Sequence, residues 1–239
     1  MSGKRDERYP LNYWMAIYLL PEEIDETLTP VLDAIVEGDT KKAKALLVGR
    51  DDVVSSILYS QALRMEGKTL EVKKVLEGIA KKDFYVCHNL LRICIALSDF
   101  ERAKEVLTMI VAENEEMKAI LKNEEGLIFW LTDRYLNAKE IFEEGLRIAE
   151  KTGNSHLIDM FYNNIALIEQ SLGNYERSLK LLQASLEIST KAGNTEGIVI
   201  AKLNIGEAYR EVGDLNVAKN EFLSTVEILG DIGSSTAIG

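Results

Sequence analysis

A chain of 239 residues with 46% hydrophobic and 28% charged side chains is long enough to bury a substantial core and has the balance of a globular protein. Its formal net charge is −11, and acid exceeds base in both halves. Binding phosphate needs a local basic stripe, and the longest basic clusters are only Lys41-Lys42 with Lys44, Lys73-Lys74 and Lys81-Lys82, so nucleic acid is not an expected partner.

The first segment, residues 1–21, combines Lys4, Arg5 and Arg8 with the most apolar run of the chain, Leu11 to Leu20. That run contains Asn12, lacks a small-residue cleavage site and meets Pro21, so it does not read as a signal peptide. Ten residues are too few to cross a bilayer as a helix. The reading is a capping segment over the first repeat, with an exposed partner-binding segment as the alternative. All three prolines fall in the first thirty residues, which leaves the remainder free of the strongest helix breaker. Helix is expected throughout.

Helical hairpins follow in order, each marked by a turn signal and then a small or apolar residue. Over 22–50, Gly38-Asp39 leads to Ala43 and Leu47; over 53–80, Gly67-Lys68 leads to Val72 and Leu76; over 84–115, Ser98-Asp99 leads to Ala103 and Leu107. Cys87 and Cys94 lie on one predicted helix at a spacing too long for a disulfide and are expected to be core thiols. From 116 the pattern tightens into hairpins over 116–152, 155–192 and 195–229. Residues 126–154, 166–194 and 206–234 align without a gap at a spacing of 40: Ala138 recurs as Ser178 and Ala218, Phe142 as Leu182 and Phe222, and Gly173-Asn174 as Gly213-Asp214. Glycine permits the positive φ that ends one helix, and Asn or Asp caps the next. A flexible tail is expected over 230–239.

The run Ile205-Gly206, Tyr209, Gly213-Asp214-Leu215, Ala218, Phe222 and Ile228 resembles the tetratricopeptide repeat family, in the forty-residue variant over the C-terminal half. The family's frequent closing proline is absent, and its first tryptophan is missing from the last two repeats. The resemblance implies an all-α fold, a right-handed superhelical solenoid of about six hairpins. It also implies that the first helix of each hairpin lines a concave face that holds peptides.

By the same analogy the groove positions are Asn89, Glu124, Asn164 and Asn204, with Trp130, Leu167, Glu207 and Arg210 beside them. A carboxamide offers both donor and acceptor to an extended backbone, so the Asn would form a ladder. Under this reading, replacing Asn164 and Asn204 with Ala leaves the melting temperature nearly unchanged. Acidic groove residues would favour a basic or amphipathic segment of another protein.

Chemistry for catalysis is thin. His88 and His156 fall on different hairpins, no His-x-x-x-His spacing occurs, and no glycine-rich phosphate loop is present. The expectation is therefore a cytoplasmic, non-enzymatic scaffold or adaptor with no metal, no cofactor and no membrane insertion. A regulatory sensor array responding to a small ligand or peptide is the second reading, and a subunit that self-assembles through its terminal hairpins is the third.

Overall fold

The computed structural model describes residues 26–80 and 82–236. The proposed capping segment over 1–21 lies outside them. The chain divides into two compact units, Met1–Val111 and Ala112–Gly239, and the described residues of both are helical.

In the first unit a 3-10 turn, Glu26–Leu28, precedes α1 (Thr29–Val36), α2 (Thr40–Leu46), α3 (Val53–Met65), α4 (Thr69–Gly78), α5 (Phe84–Ala96) and α6 (Phe100–Met109). Aspartates start several of these helices. Asp39, Asp52, Asp83 and Asp99 accept from the backbone N–H of Lys42, Ser55, Val86 and Arg102, which satisfies a donor that the first helical turn otherwise leaves open. The second unit holds α7 (Glu115–Leu131), α8 (Tyr135–Thr152), α9 (Ser155–Ser171), α10 (Tyr175–Lys191), α11 (Thr195–Glu211) and α12 (Leu215–Thr236). Asn114, Asn154 and Asn194 cap α7, α9 and α11 in the same manner.

One turn geometry closes all six hairpins. The second residue after the first helix has positive φ: Gly38, Gly67, Ser98, Asp133, Gly173 and Gly213. The next residue then donates its N–H to a carbonyl five positions back, as in Asp39 to Ala34, Asn174 to Glu169 and Asp214 to Tyr209, at 2.8–2.9 Å. This bond folds the chain back sharply and occupies a carbonyl that the helix end leaves open.

The small or apolar markers then sit where the two helices of each hairpin press together. Ala43, Ala103, Ala138 and Ser178 are completely buried, and Val72 and Ala218 are nearly so. In the second unit the packing is graded by size. A Cβ built on Gly126 would lie 2.3 Å from the Phe142 ring, and one on Gly206 2.6 Å from Phe222. The equivalent pair in the middle hairpin is Ala166 and Leu182, both fully buried in one cluster. A larger residue on the first helix is thus matched by a smaller one on the second, which keeps the interior close-packed.

Cys87 and Cys94 are buried and free, and burial pushes both thiols up from their ordinary range. One boundary departs from the sequence reading. The tail expected from residue 230 is helical as far as Thr236, because α12 runs through Gly230 and Gly233. Glycine lowers helix propensity by about 1 kcal/mol, but it ends a helix only when the chain turns left-handed there. No described helix is long and apolar enough to cross a membrane.

Candidate functional site

In the second unit the first helices of successive hairpins lie side by side, α7 against α9 and α9 against α11. Asparagines cross both seams. The Asn164 side-chain amide donates to Asn123 Oδ1 at 2.6 Å, and that of Asn204 donates to Asn163 Oδ1 at 2.8 Å. These amides, expected from the sequence to face a peptide, bond first to the protein itself. Each rung joins an Asn to the residue one place earlier in the preceding repeat, a separation of 41 residues. Asn123 and Asn163 were absent from the sequence reading; the Asn163-Asn164 doublet was the signal that could have revealed them. An Ala at 164 or 204 therefore removes an interhelical hydrogen bond, generally worth about 0.5–1.5 kcal/mol, which corrects the expectation of an unchanged melting temperature.

Both rungs keep exposed capacity, since Asn164 and Asn204 are only partly buried. Leu167 is half-buried one turn along from Asn164 and stands outside the hydrophobic clusters of the unit. Ile200 and Leu203, each 40% exposed, flank Asn204 on α11. Together these residues give the face formed by α9 and α11 amide groups interleaved with apolar side chains.

Other expected site residues lie elsewhere. Asn89 belongs to the first unit and is 6% exposed; its amide donates to the Tyr85 carbonyl at 2.9 Å and its oxygen accepts from Gln61 at 3.4 Å. Glu124 is 3% exposed, so its carboxylate is not presented to a ligand. Trp130 is half-buried and packs on the cluster containing Phe142 and Phe161, so much of its ring serves the core. Glu207 remains on the surface, held by Arg210 at 2.6 Å. Arg210 also pairs with Glu211 at 2.8 Å and borders a groove along α12, away from the amide rungs.

Two buried polar groups stiffen the middle hairpin behind this face. Asp159 accepts from Ser185 Oγ at 2.5 Å and Ser189 Oγ at 2.7 Å, tying α9 to α10. Glu169, completely buried, meets Lys139 at 2.9 Å and Arg177 at 3.2 Å and accepts from the Asn174 amide at 2.8 Å. Burial alone would raise this carboxyl; the hydrogen bonds from Lys139 and Asn174 and the charges of Arg177 and Lys139 outweigh it and hold the group below its ordinary range. Among the described residues no group of three or more His, Cys, Asp or Glu is placed to hold a metal.

Comparison with known proteins bears on the same region. Residues 156–230 match the family model described as tetratricopeptide repeat. No curated protein matches the chain. Among solved structures, it is similar to a signal transduction ATPase with numerous domains that carries a tetratricopeptide repeat sensor, from Pyrococcus horikoshii. The TM-score is 0.67 at 15% identity, over 96% of this chain and 39% of that one. The APC/C hetero-tetramer Cut9–Hcn1 gives 0.65 at 14% identity, over 91% and 43%. A Rap protein complexed with competence and sporulation factor gives 0.59 at 17% identity, over 86% and 65%. The chain spans less than half the length of the first two, and at these identities the likeness shows the fold, an all-α superhelical repeat.

Proposed function

We propose that this chain, which matches the tetratricopeptide repeat family model over residues 156–230 and shares the repeat fold over most of its length, is a protein-interaction scaffold whose face of α9 and α11 holds an extended or amphipathic segment of a partner protein. The observation that carries the proposal is the row of partly exposed amides at Asn164 and Asn204 set among Leu167, Ile200 and Leu203. Amides can pair with a peptide backbone while apolar neighbours accept its side chains. The rungs between helices hold the amides in place before a ligand arrives, which lowers the entropy lost on binding.

The preference for a basic segment now rests on the net charge of −11 and its long-range field, because Glu124 is buried and Glu207 is already paired. The name of one neighbour includes a tetratricopeptide repeat sensor, and another is a complex with a factor; both support a face that takes a ligand. The protein is read as a cytoplasmic adaptor without catalytic activity.

The test is selection of binders to the full chain from a random peptide library. Leu167→Asp should weaken the selected peptides by about tenfold or more, as expected for an apolar anchor, and Lys180→Glu on α10 should leave them unaffected. Equal binding by wild type and Leu167→Asp would remove this face from consideration.

A further inference from the structure

The first unit holds two like charges together with nothing to balance them. Several cations there are paired: Lys44 and Lys68 meet Glu66, Lys73 meets Asp99, and Arg102 meets Glu105 and Glu77. Arg64 on α3 and Arg92 on α5 have no carboxylate partner among the described residues.

The packing of α3 and α5 sets these two side by side. They are the first helices of successive hairpins and lie against each other. The Gln61 amide on α3 donates to Asn89 Oδ1 on α5 at 3.4 Å, and both residues are buried. Arg64 and Arg92 each stand three residues beyond a member of that pair, and residues three apart share a helix face. The hydrogen bond therefore fixes the register that brings the two guanidiniums to the same side of the seam. Arg64 is exposed and Arg92 is half-buried. Burial first, and then the charge of Arg92, push the Arg64 guanidinium below its ordinary range, and no acidic group acts in the other direction. Both stay charged at neutral pH.

The helix dipole accounts for only one of them. Arg64 lies in the last turn of α3, where the terminal carbonyls favour a cation. Arg92 lies ahead of the last turn of α5. Two cations held across a seam repel, and an anion placed between them turns that repulsion into attraction. A carboxylate suits the position, because its two oxygens match the planar fork of a guanidinium. The dense charge of a phosphate dianion suits it less, since it binds best at helix N-termini and Arg64 stands at a C-terminus.

We propose that Arg64 and Arg92 form a carboxylate-binding site in the first unit, with a charge preference opposite to that of the amide face in the second. The carboxylate is carried by an acidic side chain of a partner segment or by a free small organic acid. To the guanidiniums the two are the same group and differ only in the backbone attached.

The test follows the side-chain Nε–Hε resonances of the full chain, labelled with nitrogen-15 arginine, at low ionic strength. The probes are butyrate, the peptide Ala-Ala-Glu-Ala-Ala with both ends blocked, the same peptide with glutamine in place of glutamate, and inorganic phosphate. Butyrate and the glutamate peptide should shift Arg64 and Arg92 together and to saturation, with Arg50 and Arg102 as unmoved references, and the glutamine peptide should shift neither. Arg92→Gln should weaken the remaining response at Arg64 by about tenfold, the scale of one charge-assisted hydrogen bond. Arg92→Lys should recover only part, because the fork is lost. An unchanged circular-dichroism spectrum would verify the fold of both variants. Tighter binding of the glutamate peptide than of butyrate assigns the carboxylate to a polypeptide, and equal binding assigns it to a free acid. No shift at either arginine, a shift spread equally over Arg50 and Arg102, or phosphate binding as tight as that of the carboxylates would overturn the proposal. So would a response that appears only when Glu22, Glu23 and Asp25 are changed to their amides, since the pair would then belong to the chain's own carboxylates. A dimer in light scattering that Arg92→Gln dissociates would overturn it as well, because a second copy would then supply the anion. Leu167→Asp, in the second unit, should leave the response unchanged, so that failure of the amide face and failure of this site are read separately.

Discussion

The two units solve the same packing problem at different helix lengths. The first uses helices of 7 to 13 residues in its second through sixth positions, and the second uses helices of 17 or more. Short helices bury few side chains each, and the first unit joins its hairpins through the ion pairs Lys44–Glu66 and Lys73–Asp99. Lys44 and Lys68 together draw the Glu66 carboxyl down to about 2. Long helices in the second unit bury more per hairpin and rely on fitted pairs of side chains, with one ion pair reaching a completely buried carboxylate at Glu169. Both units cap helix starts with Asp or Asn side chains, so greater helix length shifts the balance toward fitted interior contacts on top of a shared set of caps.

The largest expected effect tests that shift by making one substitution in both units. Gly126→Ala places a methyl within 2.3 Å of the buried Phe142 ring and should destabilise by about 2–3 kcal/mol, as overpacking does. Gly78→Ala, at a helical glycine with open space around its Cβ position, should stabilise by about 0.5–1 kcal/mol. Urea midpoints measure both. Adding Phe142→Leu to Gly126→Ala recreates the Ala166–Leu182 pairing and should recover most of the loss; failure to recover would mean that size matching does not govern the hairpin interior.

Glu169 comes next. Glu169→Gln keeps the shape but removes the charge facing Lys139 and Arg177, for a cost of about 1–2 kcal/mol at neutral pH, discounted because Arg177 is half exposed. The folded carboxyl lies below its ordinary range. Its contribution is therefore fully present above the unfolded value, about 4.3, and is lost as pH falls through the folded value. The gap between wild type and Glu169→Gln should shrink on acidification below about pH 4, and a gap that stays constant between neutral pH and pH 3 would contradict the assignment.

Much of this was legible because the sequence repeats. The six markers from Ala43 to Ala218 could be placed from turn signals alone, and all six are buried. Bonds between hairpins were harder to read, because they join positions that are not equivalent. Asn164 meets Asn123 rather than Glu124, and Lys139 meets Glu169 thirty residues on. A comparison at a period of 40 aligns like with like and passes over such offsets. Glu124 and Asn89 were misplaced for a related reason: family position indicates which way a side chain leaves the helix but not whether a neighbouring helix covers it. The helical course of α12 beyond Leu229 was missed because Gly233 occurs where Gly153 and Gly193 end their helices, and sequence alone does not distinguish a terminating glycine from one inside a helix.

The smallest expected effect compares the two hairpin turns that do without glycine. Ser98 and Asp133 hold φ of 56° and 58°, a region that costs an ordinary residue about 1–2 kcal/mol. Glycine relieves that strain but loses more freedom on folding, about 0.5–1 kcal/mol, so Ser98→Gly in the first unit should stabilise by roughly 0.5 kcal/mol. Asp133 differs in having a local partner, since Tyr135 donates its hydroxyl to Asp133 Oδ1 at 2.8 Å. That bond and the nearby carboxylate charge raise the Tyr135 hydroxyl above its ordinary range. Removing the carboxylate offsets part of the relief, so Asp133→Gly should be close to neutral, with the Tyr135 titration moving down toward that of free tyrosine. Denaturant midpoints on the two single variants, with ultraviolet titration of the tyrosines, measure both effects. A larger stabilisation at Asp133 than at Ser98 would mean that the Tyr135 contact does not offset the strain at that turn.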